Sequence, residues 1–328
     1  MLDTNAMGIV LRLARNDEND AEQFCRLFNS LYTRYVNKSY YRWQFFESPH
    51  PSFLSLALTA GEDLIGCYGF QLRDSGGVKT AWAIDIMIAP EFQGRGLFRQ
   101  LADFAAHQVL PYKPVALLVM ANQRADAAHV GGLLWKRVDV IATYMASTSE
   151  AQIEGDSSIE ARFVDGLSEA YLPPPQATHG GNSDSPFTVH RTREFISWRF
   201  QNNPWYHYDF LQVTRRNCPF GYLVLKIFQD PNTGDRYGDI VDLAWKEGDS
   251  KVITYMLSSA LQYFHEKAVL RAAVWLKGNN VLDVVASRLG FRESDSKRCF
   301  CCKVLDNEYR WLEDSKRWFL TMADSEIY

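Results

Sequence analysis

Two glycines one residue apart, Gly94 and Gly96, stand at the junction of two differently patterned runs. Before them lies an apolar stretch of strand character, Trp82-Ala83-Ile84-Asp85-Ile86-Met87-Ile88; after them Leu97, Leu101, Phe104 and Ala105 recur at helical spacing. A strand that enters a glycine turn and opens a helix there is a geometry for holding an anion. Glycine lets the backbone approach the charge, and the unpaired N–H groups of the first helical turn point at it. The loop is neither a dinucleotide fingerprint, since G-x-G-x-x-G is absent, nor a Walker loop, since no Gly-Lys-Ser/Thr follows.

The elements that must position this loop can be read around it. Residues 8–14 alternate as a first strand, and Asp20 is placed to cap a helix with Phe24, Leu27, Phe28 and Leu31 on one face. Residues 53–59 and 64–72 read as strands joined by the turn Ala60-Gly61-Glu62-Asp63. Residues 78–88 form a long strand, with Trp82, Ile84, Ile86 and Ile88 predicted on one face and Asp85 and Met87 on the other. Residues 115–121 are nearly all apolar, as in a strand covered on both faces. A helix from about Arg124 and a strand over 138–147 are expected to close a first domain, residues 1–150. Residues 151–186, with Pro173-Pro174-Pro175 and Gly180-Gly181-Asn182-Ser183-Asp184-Ser185-Pro186, read as a connection. A second domain, 187–328, repeats strands and helices, ends on a strand over 299–305, and carries a tail, 309–322, predicted to pack back as a helix.

The two halves align without gaps. Trp43-x-Phe45-x-x-x-Pro49 returns as Trp198-x-Phe200-x-x-x-Pro204, and Gly66 as Gly221, at a constant spacing of 155 residues. A spacing of 157 carries Asn122 onto Asn279 and Asp85 onto Asp242. So long a period means duplicated domains, not a solenoid, whose units run to about 20–50 residues. The second copy lacks the glycine loop: Glu247 and Asp249 stand there, and carboxylates repel a phosphate.

Composition sets the class. The 328 residues suffice for two cores, 47% are hydrophobic, and no apolar run is long enough to span a bilayer. Met1-Leu2-Asp3-Thr4-Asn5 lacks a basic region followed by an apolar one, so no signal peptide is expected. A net charge of -4 without a lysine/arginine stripe argues against a nucleic-acid partner. Of the six cysteines, Cys299-x-Cys301-Cys302 has no second Cys/His pair at zinc spacing and reads as small hydrophobes on a strand after Phe291, in a chain expected to be cytoplasmic and reduced, without a disulfide framework or a metal.

Gln93-Gly94-Arg95-Gly96-Leu97-Phe98, after a strand that runs into Pro90-Glu91, resembles the acyl-CoA pyrophosphate loop of the GNAT acyltransferases, with Phe98 where a small residue is usual. The resemblance implies two tandem GNAT-like α/β domains, each a mixed sheet flanked by helices. It implies that acyl-CoA (acetyl-CoA or a 3-hydroxyacyl-CoA) is the co-substrate. Its thioester would lie between splayed strands, with Met87 and Ile88 on the pantetheine arm, residues 93–98 on the pyrophosphate and Asn122 on the opposite arm. Asn279 with Leu289-Gly290-Phe291 resembles the ending of the same fold. Seven residues after the family asparagine, many members place a tyrosine that protonates the thiolate; here that position is His129, a residue that titrates near neutrality. Its alternative is an ordinary helix-surface histidine. Asp85 is the candidate base, directly or through water, with backbone capping or an arginine pair as its alternative.

The rings of Trp205, Tyr206 and Tyr208 are candidates for the acceptor, with packing at the domain junction the alternative. The form of the loop most resembles acyltransferases of nucleotide-linked amino sugars (dTDP- or UDP-), which makes such a sugar the expected acceptor. An acyltransferase for an antibiotic or polyamine, or a non-catalytic CoA-binding module, are the other readings.

Overall fold

Each apolar run becomes a strand, and register sorts the strands into two units. The computed structural model describes residues 8–75, 77–149, 152–154, 158–172, 187–246, 250–277 and 280–326. Residues 173–175, 180–186 and 247–249 and Asn279, singled out above, lie outside them. One unit comprises Met1–Val138, Asn203–Trp205 and Cys299–Glu313; the other comprises Asp139–Asn202, Tyr206–Arg298 and Asp314–Tyr328.

In the first unit β1 (Val10–Leu13), β2 (Ser52–Leu58), β3 (Leu64–Ser75) and β4 (Val78–Ile88) follow one another antiparallel. Next comes β5 (Ala116–Ala121), parallel to β4, and then Cys299–Val304, the end of β12 (Arg292–Val304), antiparallel to β5. Three helices supply most of the packing: α1 (Glu18–Leu31), α2 (Lys38–Phe45) and α3 (Leu97–Val109), with a short α4 (Gln123–Ala127) after β5. Helix α1 is capped by Asp17, whose carboxylate accepts from the Asp20 N–H at 2.9 Å. Asp20, expected as the cap, instead sits in the first turn, buried, and pairs with Arg12 at 2.5 and 2.6 Å. Helices α1 and α2 bury Phe24, Phe28, Tyr40, Tyr41, Trp43 and Phe45.

Strand β4 departs from strict alternation. Cys67 faces Met87 and Gly69 faces Ile84, so Tyr68 alone opposes both Asp85 and Ile86. The extra residue is a β-bulge, and it inverts the facing of everything beyond it. Ala81 and Ala83 before the bulge, and Ile86 and Ile88 after it, therefore share the core with Leu97, Leu101 and Ala105 of α3. The predicted Trp82/Ile84/Ile86/Ile88 face is corrected accordingly: Trp82 stacks on Phe300, 5.9 Å between centroids.

The second unit repeats the order. Strands β7 (Ile159–Val164), β8 (Tyr208–Arg215), β9 (Cys218–Gln229) and β10 (Arg236–Trp245) are antiparallel, and β11 (Arg271–Trp275) is parallel to β10. The sixth strand is β6 (Lys136–Ser147), whose Thr143–Ser147 pairs with β11. The strand expected to close the first domain thus joins the second unit's sheet, and β12 closes the first. Strand β7 lies inside the stretch read as a connection, because Ile159 buries itself as β7 pairs with β8. Helices α5 (Arg193–Ile196), α6 (Ser250–Glu266) and α7 (Asn280–Arg288) complete the unit. The expected tail helix is three separate 3-10 turns, Asn307–Glu313, Ser315–Arg317 and Met322–Asp324, with Leu312 and Trp318 buried.

A Cβ at Gly69 would lie 2.8 Å from the Ile84 carbonyl oxygen and 3.3 Å from the Phe45 ring. Gly69→Ala must displace the backbone beside the bulge and should cost about 1–3 kcal/mol. The check is a lowered urea midpoint at unchanged slope.

Candidate active site

The glycine loop is built as its sequence demands. Gly94 and Gly96 take φ +73° and +80°, a region that favours glycine, and a Cβ on either would meet nothing within 4 Å. Gly96 is the N-cap of α3 and no side chain caps that helix. Its first turn therefore offers N–H groups and the positive end of the helix dipole to an anion over open space. Gln93 ties the loop down: its amide donates to the Ile88 carbonyl at 2.8 Å and accepts from Arg124. Arg95 is exposed, 5.8 Å from the Phe92 ring centroid. Leu97 is buried beneath the helix. Phe98, the departure from the family pattern, turns inward: its ring lies 5.2 Å from His129 and 6.0 Å from Tyr68. These features fit the pyrophosphate of CoA.

Strand β4 leads to the loop and separates from β5 on the way. Their parallel pairing covers Thr80–Ala83 against Ala116–Val119 and stops there, so β4 runs on through Asp85, Met87 and Ile88 without β5. Met87 is buried, and the Ile88 carbonyl already accepts from Gln93. Asn122, at the end of β5, caps α4 by accepting from the Ala125 N–H at 2.9 Å.

Asp85 occupies the bulge at φ 46°, a left-handed conformation that costs an ordinary residue of order 1–3 kcal/mol, and it is 7% exposed. The Tyr40 hydroxyl donates to the carboxylate, 3.2 Å from each oxygen, and the Cys67 thiol donates to the Asp85 carbonyl at 3.2 Å. Tyr40 in turn packs among rings: Trp205 lies 4.5 Å from Tyr40 and 6.2 Å from Phe28, and Tyr32 donates at 3.5 Å to the Ile86 carbonyl. The Arg34 guanidinium sits 4.1 Å from the Trp205 centroid.

His129 is fully buried, not on a helix surface. Its Nδ1 is 2.6 Å from the Ala125 carbonyl, so that nitrogen carries the proton, and Nε2 accepts from the Tyr68 hydroxyl at 2.8 Å. Burial lowers its pKa, with the Ala125 carbonyl opposing, and burial raises that of Tyr68. The ring is a neutral bridge between α4 and β3.

The aromatic run separates. Trp205 packs in the first unit, whereas Tyr206 lies under the Lys226 ammonium at 4.4 Å and Tyr208 is buried against Phe200 at 5.0 Å in the second. Tyr40, Tyr68 and Arg34 were missed in the sequence. They are ordinary aromatic and basic residues far along the chain from the groups they meet, and no spacing marks them.

In the second unit Asp242, which the repeat aligns with Asp85, has a different environment. Its carboxylate takes two bonds from Arg191 at 3.0 and 3.2 Å, one from Tyr222 at 2.8 Å and one from Thr321 at 2.7 Å, all buried. Arg191 also donates to Asp324 at 2.9 Å. Burial works against the Arg191 charge, but Asp242 and Asp324 hold its pKa raised.

Residues 20–130 match the model of the Acetyltransferase (GNAT) family. The chain is of the tandem GNAT-like α/β fold. A tandem GNAT protein from the clavulanic acid biosynthesis pathway superposes with TM-score 0.64 at 14% identity, over 90% of this chain and 98% of that one. Saccharomyces cerevisiae N-myristoyltransferase with bound myristoyl-CoA gives 0.63 at 9% identity, over 90% and 82%. The GCN5-related glucosamine N-acetyltransferase region of a fungal multi-domain GH3 β-N-acetylglucosaminidase gives 0.61 at 12% identity; this chain, 89% covered, spans 38% of that protein. At these identities the likeness is one of fold. No protein of curated function matches the sequence. Among the described residues no helix is long and apolar enough to cross a membrane.

Two outcomes follow from the buried groups. The unfolded chain protonates its histidine before the folded chain does, since burial lowers the folded pKa. The contribution of His129 to stability is therefore complete above about pH 6.5 and is lost as the pH falls from there through the folded value. His129→Gln, which keeps an acceptor for Tyr68, should flatten that part of a stability profile measured by denaturant titration at stepped pH. Asp242→Asn takes one of two carboxylate partners from the buried Arg191 and should cost about 3–5 kcal/mol in the same titration.

Proposed function

We infer that this chain transfers an acyl group from acyl-CoA to a primary amine, in the cytoplasm, with its first unit as the donor and reaction site. The observation that carries the reading is the conjunction on β4. Within a few residues the strand leaves β5, kinks at a buried aspartate and delivers the chain to an open, uncapped helix N-terminus. In this reading residues 93–98 take the pyrophosphate, and the freed backbone of β4 through Met87 and Ile88 lies along the pantetheine. Asn122 shapes the facing arm through its cap. The amine attacks the thioester carbonyl, Asp85 accepts its proton directly or through water, and the carbon–sulfur bond breaks to release CoA, whose thiolate takes up a proton. Holding donor and acceptor together supplies a large share of the rate, of order 7–11 kcal/mol in favourable cases. His129, both nitrogens bonded, supports the loop through Phe98 and Tyr68 in this scheme and transfers no proton. In the second unit Arg191 pairs with Asp242, the aspartate at the repeat position, so that residue takes no part as a base in this reading, which treats the unit as a degenerate copy and the chain as having one donor site.

The proposed acceptor is a nucleotide-linked amino sugar. The ring of Trp205 packed on Tyr40, whose hydroxyl bonds to Asp85, supports an acceptor with a ring to stack, and the fungal region of like fold is a glucosamine N-acetyltransferase.

Native mass spectrometry with acetyl-CoA and 3-hydroxybutyryl-CoA, followed by turnover against dTDP- and UDP-amino sugars, tests the reading. One acyl-CoA should bind per chain. Gly96→Asp, which places a carboxylate and a strained residue in the loop, should abolish binding. Asp85→Asn should keep binding and lower kcat by about 10²–10⁴. Absence of binding by either thioester would overturn the reading.

A further inference from the structure

Asp85 is held at both ends by donors from other elements. At its backbone the Cys67 thiol of β3 donates to the carbonyl at 3.2 Å; at its side chain the Tyr40 hydroxyl of α2 lies 3.2 Å from each carboxylate oxygen. A residue at φ 46° inside a strand projects off the regular pleat, and contacts of this kind decide where its side chain points. Tyr40 is itself fixed before it meets Asp85. Asn37 caps α2 and accepts from the Ser39 and Tyr40 N–H groups at 3.0 and 3.2 Å, which sets the first helical turn. The Tyr40 ring is buried, with centroid distances of 4.5 Å to Trp205, 5.7 Å to Trp43 and 6.0 Å to Phe28. A phenol packed in this way has little rotamer freedom left to lose when its hydroxyl bonds to the carboxylate.

The equal distances suit a group that takes up a proton. When one Asp85 oxygen accepts the proton of the attacking amine, the other still accepts from the hydroxyl. The bond survives the transfer, and Tyr40 keeps its own proton. In the second unit a phenol also meets the matching carboxylate, Tyr222 at 2.8 Å from Asp242, but there the Arg191 guanidinium bonds to both oxygens. A phenol orients a carboxylate as a neutral donor, whereas a guanidinium also cancels its charge.

We propose that Tyr40 is a positioning residue that aims the Asp85 carboxylate at the acceptor amine, with Cys67 fixing the backbone of the same residue. The inference rests on the acyltransferase reading above, in which Asp85 is the base, and adds to it two buried residues that act through Asp85.

The test is steady-state kinetics of the full-length protein, with acetyl-CoA as donor and UDP- and dTDP-linked amino sugars, D-glucosamine and spermidine as acceptors. Tyr40→Phe keeps the ring and removes the hydroxyl. It should lower kcat by about tenfold to a hundredfold, the range of a lost bond to a charged group, and leave both KM values near wild type. Cys67→Ala removes a weaker donor and should lower kcat by about twofold to tenfold, again at constant KM. In an Asp85→Asn background neither substitution should lower the residual rate further, because the group they position is gone. A merely structural role gives the opposite pattern: thermal melts fall, KM rises, and the loss repeats in the Asp85→Asn background. That pattern, or an unchanged kcat in either variant that folds, overturns the proposal while leaving the acyltransferase reading intact. Asp85→Asn with the wild-type kcat removes the assigned base and this proposal together. Acetyl-CoA binding with turnover of none of these amines by the wild type removes the acyltransferase reading and this proposal with it.

Discussion

Asp85 is held at a positive φ in the middle of a β-strand, and the first unit is arranged around that one departure. Two residues, Asp85 and Ile86, share the place opposite Tyr68. The bulge turns Ile86 and Ile88 onto α3, lets the carboxylate reach Tyr40, and falls just beyond the last pair between β4 and β5. A conformation of that cost persists only where the surroundings over-determine it. Here the Tyr40 hydroxyl, the Cys67 thiol and the close contact of Gly69 with Ile84 do so together.

The second unit shows what the same topology becomes with different neighbours. Both units place five strands in the same order, with one parallel pair, and both carry an aspartate at the repeat position. Tyr40 donates to Asp85, but Asp242 is met by a guanidinium, a phenol and a threonine hydroxyl inside a core. A buried carboxylate held by a bidentate arginine has its oxygens occupied and its geometry fixed. One residue type therefore serves as a structural anchor in one copy and is placed at a candidate reaction site in the other.

The loop resolves a conflict that its sequence poses. A phenylalanine at position 98 would crowd a phosphate if it faced the loop's concave side. It lies against His129 and Tyr68 instead, while Gly94 and Gly96 stay open. His129 completes this support. Its two bonds place it between a helix turn and β3, where a neutral imidazole serves as donor and acceptor at once.

The sequence by itself determined the features that depend on neighbouring residues. The glycine turn between Ile88 and Leu97 is one, because only glycine accepts both φ values without strain. The apolar strands 53–59, 64–72 and 115–121 are others, and so is the duplication, which survives as Trp, Phe, Pro and Gly at one spacing. Only the tertiary structure decided the rest. The bulge was hidden because alternation along β4 continues through it, and the inserted residue shows only against the register of β3. The exchange of closing strands was hidden because β6 and β12 are both ordinary strands, and nothing local says which sheet will hydrogen-bond to each. Arg34 and Trp205 meet at Tyr40, which bonds to Asp85, from positions up to 171 residues apart in the chain. Packing selects such partners by shape and burial, and those are properties of the folded chain, not of any stretch of its sequence.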